Sequence, residues 1–117
     1  MEKTFMNALQ QFHLAAWNER DGAKRIELIE KIYAANIKMY DGDIIVTGHQ
    51  EISDFIGKLH SQDPQFHFTA VKPIQFNQNG ARFFGKIVTN QGVLNSMDFF
   101  LIENDKVAVI YAFIEPE

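Results

Sequence analysis

Val93-Leu94-Asn95-Ser96-Met97-Asp98-Phe99-Phe100-Leu101-Ile102 is a run of strand length, apolar except at Asn95, Ser96 and Asp98. Its branched and aromatic residues favour extended backbone. Side chains of a strand alternate between faces, so Asp98 shares a face with Leu94, Ser96, Phe100 and Ile102. A carboxyl group on such a face must lose its charge, find donors or line a cavity. Local breaches of the hydrophobic pattern concentrate where proteins act, which makes Asp98 the first candidate site residue.

Working outward, the same kind of segment recurs on both sides. Gln65–Phe76, Ala81–Asn90, Val93–Glu103 and Lys106–Ile114 read as strands, joined at Asn77-Gln78-Asn79-Gly80, Gln91-Gly92 and Asn104-Asp105. Short connections between long strands imply an antiparallel meander. Before residue 65 the period is mostly helical. Phe5, Leu9, Phe12, His13, Ala16 and Trp17 form one stripe of a helix over about residues 2–18. Asp21 caps a second helix with the stripe Ile26, Ile29, Ile32 and Tyr33. Ile37-Lys38-Met39-Tyr40 and Ile44-Ile45-Val46-Thr47 flank Asp41-Gly42-Asp43, a hairpin signal. Thr47-Gly48-His49-Gln50 has capping-box spacing and opens a third helix. Its stripe is Ile52, Phe55, Ile56, Leu59 and His60, and it stops before Asp63-Pro64. Three helices followed by a strongly curved, mostly antiparallel sheet predict an α+β domain with the helices packed on one sheet face.

The 117 residues suit one domain, and 46% apolar with 22% charged residues is ordinary globular composition. Net charge is −4 and the basic residues are scattered, so neither nucleic acid nor an anionic membrane is an expected partner. There is no cysteine, which excludes disulfides and thiolate catalysis. No histidine pair has a metal-ligand spacing, and no glycine-rich loop suits a phosphate, so no metal or cofactor is expected. No signal peptide or membrane span is legible at residues 1–5 or beyond, and a soluble, cytoplasmic protein is the expectation. The strands are apolar on both faces: Ala108, Ile110, Ala112 and Ile114 oppose Val107, Val109, Tyr111 and Phe113. One face covers the helices. A second copy of the chain is the expected cover for the other, giving a homodimer through the outer sheet face.

Helix, helix, small hairpin, helix and four-stranded meander is an order that resembles the nuclear-transport-factor-2-like superfamily. Trp17-Asn18-Glu19-Arg20-Asp21, Tyr33 ahead of Ile37-Lys38-Met39-Tyr40-Asp41, and Gly48-His49-Gln50-Glu51-Ile52-Ser53-Asp54-Phe55 carry the likeness, which spans essentially the whole chain. Within that superfamily the chain is most similar to the SnoaL-like and ketosteroid-isomerase-like branches. The resemblance implies a single cone-shaped domain over residues 1–117. It implies that Asp41, at the hairpin, is a general base and that Asp98 is a protonated acid donating to a developing enolate oxygen. The isomerases' helix-1 tyrosine falls on His13, and a tyrosine of their third helix falls on Ile56. Tyr33 fits a family position.

Three functions stay open on this reading. The first is an isomerase- or cyclase-type enzyme acting on a small hydrophobic substrate by acid–base proton transfer, with Asp41 taking a proton while Asp98 and His13 stabilise the oxygen. Its expected pocket residues are Trp17, Tyr33, Ile56, Ser96, Phe100, Ile110 and Ile114. The second is a ligand-binding module with the same pocket and no chemistry. The third is a dimerisation or association domain with a filled pocket. Asp41 also has a turn role, since Asp-Gly is what a tight hairpin turn favours. His13, on a core stripe, can equally be a satisfied core residue. His49 and His60 are expected to be solvated near helix ends, and the pattern does not orient His67 or Arg82.

Overall fold

At Tyr33 the hydrophobic period changes from helical to alternating, and the chain turns there from helix to sheet without a linker. Tyr33 caps α2 and is the first residue of β1. The computed structural model describes residues 1–117. The order is α1 (Lys3–Asn18), α2 (Gly22–Ile32), β1 (Tyr33–Asp41), β2 (Ile44–Thr47), α3 (Gly48–Gln62), β3 (His67–Ala70), β4 (Gln75–Asn77), β5 (Gly80–Thr89), β6 (Gly92–Glu103) and β7 (Lys106–Pro116). The three helices pack on one face of a curved, unclosed, mixed sheet that is mostly antiparallel. The architecture is α+β, with strand order β2-β1-β7-β6-β5-β3, and β4 also paired to β5.

Two of the three helix starts are fixed by carboxylates. The Asp21 carboxylate accepts from the Ala23 and Lys24 amides and so caps α2. The capping box expected at Thr47 is not formed as read. The Thr47 side chain caps nothing; instead the Glu51 carboxylate accepts from the Thr47 amide. Gly42 has φ +60°, the left-handed geometry that the β1–β2 turn requires and that glycine adopts without strain.

The sheet departs from the sequence reading in two places. Gln65–Phe76 is not one strand. It is two short strands, β3 and β4, paired to successive parts of β5 and separated at residues 71–74. Pro73 has no amide to give a ladder, and it restricts Lys72 before it. The Ile74 amide bonds instead to the Gln10 side chain of α1, at 2.8 Å. In addition, β1 is longer than the Ile37–Tyr40 run and pairs in parallel with β7. That non-local pairing puts the hairpin beside the meander.

The core lies between the helices and the concave sheet face, where Leu9, Ile29, Ile32, Ile37, Met39, Ile52, Ile56, Phe83, Phe100 and Ile110 are almost completely buried. Side chains of this size each stabilise the fold by about 1.5–3 kcal/mol through burial. Gly85 leaves room for this packing: a Cβ there would lie 2.6 Å from the Phe68 ring. Arg25 is also inside, tying α2 to α3 by donating to Ser53 Oγ at 2.9 Å and to the Glu19 carbonyl at 2.8 Å. His60 is buried rather than solvated. Its Nε2–H donates to the Trp17 carbonyl at 2.8 Å, and burial above all holds its pKa below the ordinary histidine value. His49 reaches the Tyr33 carbonyl at 2.8 Å and is only partly exposed. His67 and Arg82 are both exposed, and Arg82 donates to Gln75. No helix is long and apolar enough to cross a membrane.

Candidate functional site

Strand register brings the candidate acids into one row. Ala112 of β7 pairs on one side with Asp41 of β1 and on the other with Asp98 of β6, and Asp98 pairs onward with Phe83 of β5. Residues directly opposite in a ladder share a face. Asp41, Ala112, Asp98 and Phe83 therefore run across the concave side, and the two acids are two strand spacings apart, about 9–10 Å between Cα atoms. The next inward row is Ile114, Ser96 and Gly85. Small side chains at Ala112 and Ser96 leave a hollow above the sheet, whereas the space over Gly85 is taken by the Phe68 ring. The hollow is a cavity of about 700 Å³, roofed by α1 and α3 through Trp17, Phe55 and Leu59 and bounded elsewhere by Phe66 and Phe68.

Behind Asp98 a hydrogen-bonded chain runs into the core. The Trp17 Nε1–H can only donate, and it does so to the Tyr33 hydroxyl at 2.9 Å. The Tyr33 O–H then has one remaining neighbour, His13 Nδ1, at 2.5 Å. With Nδ1 accepting, the ring proton sits on Nε2, which donates to Asp98 Oδ2 at 3.0 Å. Every proton in this chain points toward Asp98, so its Oδ2 accepts from His13 rather than donating to it. Burial foremost pushes the Tyr33 phenol well above its ordinary pKa, with the Asp98 charge acting the same way, so it stays a donor. His13 is 1% exposed, boxed edge-on by Phe100 at 5.0 Å and Phe83 at 5.5 Å.

Asp41 sits at the rim, partly exposed. Burial first, and the Asp98 charge second, raise its pKa above the usual carboxylate value. The paired acids of one row are thus unequal: Asp98 is held by a buried donor, whereas Asp41 has no partner in the chain and sits at the rim. In the neighbouring row, two residues from Asp98 on β6, lies Ser96, 6% exposed, whose hydroxyl has no hydrogen-bond partner.

The cavity wall includes Asp41, Asp98, Trp17, Ser96 and Ile114 from the sequence-read set. Tyr33, Ile56, Phe100, Ile110 and His13 lie behind it, nearly fully buried in the core or the polar chain. Sequence reasoning missed Phe55, Leu59, Phe66 and Phe68 as wall residues. Phe55 and Leu59 were on the recognised α3 stripe, and that signal could have found them. Phe66 and Phe68 had none, because their position depends on where β3 breaks off.

No protein-family model matches the chain, and neither does any curated protein. Solved structures do. A proposed isomerase of the SnoaL-like family from Agrobacterium tumefaciens superposes with a TM-score of 0.84 at 23% identity, over 96% of this chain and 98% of that one. An NTF2-like protein of unknown function from Cytophaga hutchinsonii gives 0.73 at 12%, over 99% and 94%. A proposed SnoaL-like polyketide cyclase from Jannaschia gives 0.70 at 12%, over 90% and 83%. The fold is thus the nuclear-transport-factor-2-like cone of the SnoaL-like and related structures, and at these identities the likeness is one of fold.

Proposed function

We propose that this chain is a small-molecule enzyme of isomerase or cyclase type, moving a proton on a largely apolar substrate held in the cavity. The observation that carries the proposal is the Asp41–Ala112–Asp98 row, which turns two unequal carboxyl groups toward one hollow. Neighbouring acids whose environments push them apart are suited to divide acid and base work. Asp41 is the base of choice. Its raised pKa makes it the stronger proton acceptor, and it stands at the rim where substrate enters. Asp98 supports that basicity by its charge and is held in place by His13.

The resemblance gives oxygen stabilisation to Asp98 and His13. Here the His13 Nε2–H is already spent on Asp98, so His13 acts as a positioning residue. The Ser96 hydroxyl is the unspent donor beside the acids. Trp17, Phe55, Phe66 and Phe68 supply the apolar wall. Deuterium exchange into a panel of C–H-acidic cyclic ketones and esters, with and without an amine or quaternary ammonium substituent, followed by NMR, tests the proposal. Catalysed exchange that Asp41→Asn lowers by about 100-fold or more is expected for a general base. Ligand binding with no exchange from any member would establish the non-catalytic binding module instead.

The outer sheet face favours the proposed homodimer. Tyr40 stacks on Tyr111 at 5.1 Å between ring centroids, and Tyr111 and Phe113 remain 40% and 59% exposed in a single chain. A continuous apolar sheet face of this kind is self-complementary about a two-fold axis. Sedimentation should give a dimer, and Phe113→Asp should give a monomer. A monomeric native chain at high protein concentration would end this part of the proposal.

A further inference from the structure

Four carboxylates line the cavity, Asp41, Asp63, Asp98 and Glu117, and no lysine, arginine or histidine does. Two of the four are already engaged. Asp63 accepts from the Gln65 and Asn90 amides, and Glu117 pairs with Lys86. Asp41 and one oxygen of Asp98 make no hydrogen bond within the chain. Between them the short Ala112 side chain leaves a slot with a carboxyl group on each flank. The Ser96 hydroxyl, on the same face and more than nine-tenths buried, also has no partner inside the protein. The wall facing this slot is aromatic. Trp17 stands edge-on to Phe55 at 6.1 Å and to Phe68 at 6.5 Å, with its indole N–H turned away to Tyr33.

We infer that the molecule this cavity takes is a cation, an apolar amine or quaternary ammonium whose charged nitrogen lies between Asp41 and Asp98 under the aromatic wall. This deepens the functional proposal and rests on its reading that the cavity is the ligand site. The physical reasons are independent of the reaction. An anion there would face two carboxylates with no basic group to answer it, a cost that grows as the cavity dries. A neutral ligand would leave the Asp98 charge sealed beneath it without a counter-ion. A cation relieves the repulsion between Asp41 and Asp98, and aromatic faces attract it as well. The slot, about two strand spacings wide, matches one tetrahedral nitrogen with its substituents.

Three soluble isosteres test the charge alone: choline, 3,3-dimethyl-1-butanol and 3,3-dimethylbutanoate. Each is titrated into the full chain while the backbone amide resonances of Ser96, Asp98 and Ala112 are followed by NMR. Choline is expected to bind about tenfold more tightly than the neutral alcohol, the scale of a desolvated cation–aromatic contact, and the anion is expected not to bind. The preference should fall below about threefold in Asp41→Asn, a rim change that leaves the buried chain behind Asp98 intact, and should weaken as salt is raised. Equal binding of choline and the alcohol, or tighter binding of the anion, overturns the cation assignment while leaving the cavity reading in place. If no probe moves these resonances, both fall together.

Discussion

The helices are tied down by two buried polar networks, and the networks end in different ways. The guanidinium of Arg25 reaches Ser53 Oγ and the Glu19 carbonyl, so both of its bonds stop inside the protein. The chain from Trp17 through Tyr33 and His13 stops on Asp98, at the wall of a cavity. A closed network of this sort holds structure together. An open one transmits orientation to a group that something else can touch. The contrast separates a buried charge that is scaffold from one that is part of a site.

Substitutions can break or sharpen this contrast. The largest effect is expected from Arg25→Ala, which strands the Ser53 hydroxyl and the Glu19 carbonyl and empties the space of a long side chain. A loss of about 3 kcal/mol in denaturant unfolding is expected, with the occupant of the cavity bound as before in the protein that remains folded. Next is Tyr33→Phe, which leaves the Trp17 N–H unpartnered and His13 Nδ1 without its donor. It should cost about 1–3 kcal/mol. It should also change the ¹⁵N shifts of the His13 ring as the tautomer preference is lost, a signature that Arg25→Ala should not produce.

Smaller still is Ser96→Ala. Removing a buried hydroxyl that has no partner should leave thermal stability within about 0.5 kcal/mol or raise it slightly, while affinity for a bound molecule falls. A clear loss of stability would move Ser96 to the closed, structural kind. Asp41→Asn is expected to have the smallest effect on stability, and it is one of pH. The native Asp41 carboxyl binds its proton more tightly than in the unfolded chain. The wild-type chain therefore loses stability as pH rises from the ordinary carboxylate range through the raised value. Asp41→Asn should be the more stable at pH 7, by about 0.3 kcal/mol for a partly exposed group. The difference should vanish below about pH 3, where Asp is protonated in both states. Equal stability at all pH values would show that neither burial nor the Asp98 charge raises the Asp41 pKa.

Much of the fold was legible because each half of the chain carries one clear period. The α1 stripe through Leu9, His13 and Ala16 faces the core as read, and the β5–β6 and β6–β7 hairpins turn where Gly and Asn-Asp mark them. The parallel pairing of β1 with β7 was not legible, since no local pattern records which distant strand will lie alongside. Pro73 did mark the break between β3 and β4, but the apolar residues around it outweighed the signal. For the site, periodicity told which side chains face inward and not which part of the interior is filled. Asp98 and Ser96 face the hollow, whereas Phe100 and Ile110 on that same face are packed solid beneath α1 and α2. Arg25 was hidden because a long side chain can bury itself beside an apolar stripe without belonging to it.

The place of β7 between β1 and β6 has a kinetic consequence. Asp41 and Asp98 come onto one row only when Ala112 pairs with both, and Ala112 is 71 positions from Asp41 along the chain. Contacts of such sequence separation close late and slowly, because the loop entropy is lost before the contact rewards it. The three helices and the β5–β6–β7 meander can form from local contacts while β1 is still undocked from β7. Time-resolved hydrogen exchange during refolding should therefore find the amides of α1, α3 and the β5–β6 and β6–β7 turns protected before those of β1 around Asp41. A chain caught at that stage would have most of its secondary structure and an incomplete cavity floor, with the edges of β1 and β7 both open to the wrong partner.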